Sequence, residues 1–206
     1  MSTAAGLGTK GMPSDDRRQR ILMAALGEFA DRGFGAVSVA SVAARAGISK
    51  ALVFQHFSSK DQLYAACAIE VGEPLLTRLE AEMTSGASPS SMPIHALRGI
   101  FETLGPDRTA WRILHDPTAP DAGAAGPIVH RYRTQIDRFA TDGVTRFLAN
   151  LGDSDRGDID ALIGIWTSAV DSIMTYARDH PEESAHDLTE RFTRLINAVF
   201  NVGSIR

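Results

Sequence analysis

Apolar side chains recur at intervals of three and four along most of the chain. No stretch of any length shows the period-two alternation of a half-buried strand. The first such stripe is Ile21, Leu22, Ala25, Leu26 and Phe29. Ser14 with Asp15 and Asp16 opens that helix, acidic side chains suiting its positive N-terminal end, and Gly33 closes it. Two short helices follow, and then a long one from Leu63 to about Met83, with Pro74 predicted to kink or break it. Further helices are predicted over Ile94–Leu104, Asp107–His115, Ile128–Leu151 (with Pro127 in its first turn), Ile159–Asp179 and Glu183–Val202. Between them lie the loops SGASPSSMP, PTAPDAGAAGP and DSDRGD and the His180-Pro181 break. The fold class is all-α, without an internal repeat.

The stretch from Ser38 to Lys60, SVASVAARAGISKALVFQHFSSK, carries the most chemistry. Ser38 suits the N-cap of a short helix whose small apolar face is Val42, Ala43 and Ala46. Gly47 supplies the left-handed residue of a sharp turn, and Ile48 is expected to plug the core beneath it. Ser49 caps the next helix, which turns Val53 and Phe57 inward and Lys50, Ala51, Phe54 and Gln55 outward. Ser58 and Ser59 offer a cap for the long helix that follows. Any αα-hairpin can place a glycine between small apolar residues. The spacing here is nonetheless that of a helix-turn-helix, whose second helix enters the DNA major groove.

Taken with its flanks, this region resembles the TetR family of one-component transcriptional regulators. The resemblance runs from about Arg20 to Leu63 and rests on the Phe29 to Gly33 helix end, Ser38, Val42 and Ala43. The Ala46-Gly47-Ile48-Ser49-Lys50 turn, Phe54, His56-Phe57, Ser59-Lys60 and Leu63 complete it. Two positions depart from the family pattern: Phe54 stands where a tyrosine is common, and Ser41 where an acid is common. Phe54 has no hydroxyl to offer a phosphate, but its ring can pack on sugar or a thymine methyl.

The resemblance implies three segments: a mobile arm over 1–13, a DNA-binding domain over 14–61, and a helical effector-binding and dimerisation domain over 62–206, with 62–84 as its linking helix. Lys50, Ala51 and Gln55 are then the base readers, by donation to guanine, methyl contact with thymine and a bidentate bond to adenine. Ser38, Ser49, Phe54, His56 and Lys60 are the backbone contacts, which fix register without reading sequence. Leu162, Ile165, Ala169, Ile173, Phe192, Leu195, Ile196 and Val199 form the expected homodimer face. That dimer suits a near-palindromic double-stranded operator. Phe101, Leu104, Trp111, His115, Phe139, Trp166, Met174 and Tyr176 are candidate walls of a pocket for a hydrophobic or amphipathic effector, although aromatic residues at helical spacing also build plain cores. The implied function is a ligand-released, homodimeric transcriptional repressor; an architectural DNA binder without a ligand is the alternative.

Composition sharpens this only in places. The chain carries 21 basic and 25 acidic residues. Up to Asp61 the count is eight basic to five acidic, and beyond it thirteen to twenty, so positive charge gathers at the helix-turn-helix. The lone cysteine, Cys67, excludes an intramolecular disulfide, fits a reducing compartment and reads as a packed small side chain. No apolar run reaches membrane-spanning length, and MSTAAGLGTKGMPS has neither the basic start nor the apolar centre of a signal peptide, so a cytoplasmic location is expected. His115-Asp116 and the His180/His186 pair lack metal-ligand spacing, and there is no glycine-rich phosphate loop or nucleophile elbow. No catalytic residue, metal or cofactor is expected.

Overall fold

The computed structural model describes residues 14–105 and 107–201. The 1–13 arm, including Lys10, lies outside the described residues. Among the described residues every regular element is helical, with no strand: α1 (Ser14–Ala36), α2 (Val39–Ala46), α3 (Lys50–His56), α4 (Lys60–Thr84), α5 (Met92–Leu104), a 3₁₀ turn (Arg108–Ala110), α6 (Trp111–His115), α7 (Gly126–Asn150), α8 (Arg156–Asp179) and α9 (Ala185–Asn201). The single helix expected over Asp107–His115 is thus a 3₁₀ turn followed by a short α-helix.

The helices form two compact units. Of the described residues, one unit takes those up to Val71 together with Thr109–Arg131, and the other takes those between Gly72 and Arg108 and from Tyr132 to residue 201. The first unit therefore takes in a stretch that lies far beyond residue 61 in sequence.

In the first unit α1 packs on α2 and α6. The predicted stripe of α1 is buried in full, from Ile21 through Phe29, and so are Val42, Ala43 and Ala46 of the α2 helix packed on it, whose small side chains permit close approach. Tyr64 sits among Phe29 and Phe34 in edge-to-face contacts, and its hydroxyl donates to the Ile113 carbonyl at 2.7 Å. Arg112 donates to the Ala30 and Asp31 carbonyls at 2.8 and 3.1 Å, satisfying the last turn of α1 with a cation. Cys67 is fully buried, and burial pushes its thiol well above its ordinary pKa, as a packed side chain requires.

In the second unit α5 packs on α9, and Leu75, Leu79, Leu97, Phe101, Tyr132, Met174 and Leu188 lie in the core. The buried Glu82 is surrounded by Arg78 at 2.7 Å, Arg98 at 2.9 Å and His95 at 3.0 Å. Burial alone would raise its pKa; the His95 and Arg98 hydrogen bonds and the arginine charges hold it below the ordinary carboxylate value. Pro74 does not break α4. The buried stripe Leu63, Cys67, Val71, Leu75 and Leu79 continues across it, and that packing outweighs the one hydrogen bond a proline removes.

Candidate nucleic-acid interface

Local hydrogen bonding builds the helix-turn-helix. Ser38 Oγ accepts the Ser41 N–H at 3.1 Å, while Ser41 Oγ accepts the Ser38 N–H at 3.3 Å, a reciprocal capping box. Ser41 thus does with a hydroxyl what an acidic side chain does at that position. At the other end of α2, Gly47 is left-handed (φ 68°, ψ 35°), and the Ile48 N–H bonds back to the Ala43 carbonyl at 3.0 Å. Ile48 itself is half-buried rather than a full core plug. Ser49 Oγ accepts the Leu52 N–H at 3.2 Å and starts α3. Ser59 performs the same task for α4, taking the Gln62 N–H at 3.0 Å.

With α3 so anchored, Val53 and Phe57 are buried, and Lys50, Ala51, Phe54 and Gln55 are exposed together. Phe54 leaves 42% of its surface to solvent, a large apolar area on the outward side of α3. The Lys50 ammonium lies 5.7 Å from its ring centre. Ser38 and Ser49 use their oxygens as caps and retain a hydroxyl proton to donate. His56 is half-buried at the end of α3. Lys60 is not a free surface cation: its ammonium sits 4.1 Å from the centre of the Phe34 ring, and desolvation there lowers its pKa against the opposing pull of Asp116.

Two further cations flank this module that the sequence reading did not single out. The Arg20 guanidinium lies against the Gly47 turn, and Arg18 stacks 4.9 Å above the Phe57 ring; both arginines are exposed. The Arg17-Arg18 pair and Arg20 in the first turns of α1 were the available signal. Arg45 belongs to the scaffold instead, bridging α2 to α1 through Asp31 at 2.8 Å and Glu28 at 3.4 Å.

The remaining candidates divide. Of the eight pocket residues, Trp111 and His115 fall in the first unit, stacked on each other at 4.0 Å, and the other six fall in the second. Phe101 and Tyr176 meet through Phe192, at 6.2 and 5.7 Å. Phe101, Leu104 and Met174 are buried, and Phe139, Trp166 and Tyr176 half-buried. On the expected dimer face Ile165, Leu195 and Val199 are 65%, 54% and 73% exposed. Leu162, Ala169, Phe192 and Ile196 are half-buried, whereas Ile173 is buried within its own chain. His180, Glu182 and Glu183 lie close enough to share an ion, but Glu183 is already held by Tyr176 at 2.7 Å and Arg191 at 2.8 Å.

The fold and this module define a helix-turn-helix protein. Residues 21–67 match the family described as bacterial regulatory proteins, tetR family. The HTH-type transcriptional activator FasR of Mycolicibacterium smegmatis is 30% identical over 105 residues, covering 51% of this chain and 48% of that protein. The HTH-type transcriptional repressor Rv3405c of Mycobacterium tuberculosis is 39% identical over 80 residues, covering 34% of this chain and 43% of that protein. The chain thus spans about half the length or less of these curated relatives, which are transcription regulators rather than enzymes. The fold is shared along most of its length by the ketosteroid transcriptional regulator KstR2 of Mycobacterium tuberculosis, with a TM-score of 0.74 at 18% identity over 89% of this chain and 94% of that one. AibR, solved with isovaleryl coenzyme A and operator DNA, gives a TM-score of 0.66 at 15% identity over 85% and 95%. Residues 21–67 are thus a helix-turn-helix of the TetR family, and the fold beyond them is one that solved regulators share. No helix among the described residues is long and apolar enough to cross a membrane.

Proposed function

We propose that this chain is a cytoplasmic, sequence-specific DNA-binding repressor that acts as a homodimer and leaves its operator when a small hydrophobic or amphipathic ligand binds. The observation that carries the reading is α3. A seven-residue helix anchored by Val53 and Phe57 holds Lys50, Ala51, Phe54 and Gln55 outward, with Arg18 and Arg20 beside it. In this reading Lys50, Ala51 and Gln55 meet base edges, and Ser38, Ser49, Phe54, His56 and Lys60 meet the backbone.

One such helix reads few base pairs, so specificity calls for two. The exposed Ile165, Leu195 and Val199 on α8 and α9 support a second copy packed there, presenting two reading heads to a near-palindromic site. Within the second unit, Leu104, Met174, Phe139, Trp166 and the Phe101–Phe192–Tyr176 group supply apolar walls for an effector. A ligand releases the operator only to the extent that it binds the DNA-incompetent state more tightly.

Fluorescence anisotropy on DNA from upstream of its own coding region, against the same fragment shuffled, tests this at fixed salt. Tight binding of two protomers to the native fragment alone is expected. Equal and steeply salt-dependent binding to both fragments would favour a non-specific binder.

A further inference from the structure

Gly33 breaks α1 in a conformation reserved for glycine (φ 76°, ψ 161°), so the N–H groups that follow lose their helical acceptors. A segment remote in sequence satisfies them. Asp116 Oδ2 accepts the Phe34 N–H at 2.5 Å, and Thr118 Oγ1 accepts the Gly35 N–H at 2.9 Å. The other carboxylate oxygen takes the Thr118 N–H at 2.8 Å and hydroxyl at 2.7 Å, which locks the pair. Asp116 is 3% exposed.

Phe34, held by its backbone, packs edge-on against Tyr64 at 5.1 Å and carries the Lys60 ammonium on its ring. Lys60 opens α4 directly after the α3 turn. Its neighbour Asp61 accepts the N–H groups of Ala124 and Ala125 at 2.5 and 3.3 Å. Both residues that open α4 are therefore tied to the 109–131 stretch, one through Phe34 and one directly.

We propose that Asp116 is a positioning residue for DNA binding: by fixing Phe34 it seats Lys60 where a phosphate oxygen can reach it. The proposal rests on the DNA-binding reading above. A preset cation forgoes the ordering cost that a mobile lysine would meet on binding. The 109–118 stretch is then part of the DNA-binding machinery although it touches no DNA.

The test uses the full chain and two readouts. The chain has three lysines, so amine acetylation followed by mass spectrometry resolves Lys60 from Lys50 directly. Lys60 is expected to react several-fold faster in Asp116→Asn than in the wild type, and Thr118→Ala, which loosens the pair but keeps the Asp116 charge beside Lys60, is expected to give a smaller rise that lost charge cannot produce. On a labelled random-sequence duplex at one salt concentration, Asp116→Asn is expected to lose about two- to ten-fold in affinity, the cost of ordering one long side chain. The Lys60→Ala, Asp116→Asn double variant is expected to bind no more weakly than Lys60→Ala alone. Unchanged Lys60 acetylation in a variant with a native circular dichroism spectrum overturns the proposal. So do losses that multiply in the double variant, the signature of general destabilisation. If the wild type binds neither random nor genomic DNA, the functional reading falls instead, and acetylation of the charge-preserving Thr118→Ala variant still decides whether the Asp116–Thr118 pair positions Lys60.

Discussion

The Arg108 guanidinium donates to the His180 carbonyl at 3.2 Å, across 72 residues of sequence. It also donates to the Ala177 carbonyl at 3.3 Å and to that of Glu183, so one cation closes the last turn of α8 and holds the start of the connection to α9. With 4% of its surface exposed, Arg108 is a buried charge whose N–H groups are taken up by helix-end carbonyls. Arg108→Ala leaves those carbonyls unsatisfied and a void behind them. A loss of about 2–4 kcal/mol in a urea titration is expected. A loss below 0.5 kcal/mol would show that water replaces the guanidinium.

The α8 and α9 surface predicts an association equilibrium. Leu195→Asp and Val199→Asp place charges on residues that are exposed in the single chain, so neither should lower the stability of the folded protomer. Each is expected to shift sedimentation from dimer to monomer and to weaken operator binding. A variant that stays dimeric would move the partner surface elsewhere.

Lys50 and Lys60 should separate in DNA binding. Lys50→Ala is expected to relax base preference, because it removes a base-edge donor from α3. Lys60→Ala is expected to weaken specific and random duplexes alike and to lower the salt slope by roughly one unit. Equal losses for both variants on both duplexes would remove the division between reading and anchoring.

Gly33 allows only glycine for two reasons. Its dihedral angles lie where other residues are strained, and an added Cβ would stand 3.2 Å from the Asp116 carboxylate. Gly33→Ala is expected to cost about 1–3 kcal/mol in thermal or urea unfolding. A neutral result would mean that the α1–α2 turn relaxes around the methyl group.

Two buried carboxylates, Asp116 and Glu82, are expected to contribute to the loss of stability in acid. Burial alone would raise the pKa of Asp116, but the Phe34 and Thr118 hydrogen bonds and the Arg112 charge hold it below the ordinary value, as the hydrogen bonds and cations around Glu82 do for that residue. A carboxylate depressed in the folded state stabilises it above the unfolded pKa, about 4, and the contribution disappears as pH falls through the lower folded value. Urea midpoints should therefore fall on acidification through that window, and Asp116→Asn should flatten the fall. A parallel fall in variant and wild type would assign the acid sensitivity to other groups.

The helix-turn-helix was legible because its determinants are local. Ser38, Gly47 and Ser49 act within four residues of themselves, and the Val53/Phe57 spacing alone fixes which side of α3 faces out. What stayed hidden is non-local. His115-Asp116 reads as an ordinary helix end, and nothing near it announces a bond to Phe34 at a separation of 82 residues. The same limit explains Lys60, whose aromatic seat comes from α1. It explains the 109–131 stretch as well, which composition marks only as a short helix and a Pro-Gly-Ala loop although it completes the first unit. Along α8, periodicity gives a face but not what covers it: Ile165 and Ile173 share one stripe, yet one is exposed and the other buried.

Selection of genomic fragments by the purified full chain, followed by sequencing, tests whether the protein reads a specific DNA sequence. Enrichment of a few fragments sharing a near-palindromic motif, with half-sites spaced by the duplex repeat, is expected. Recovery of fragments in proportion to their length, with no shared motif, would contradict that expectation.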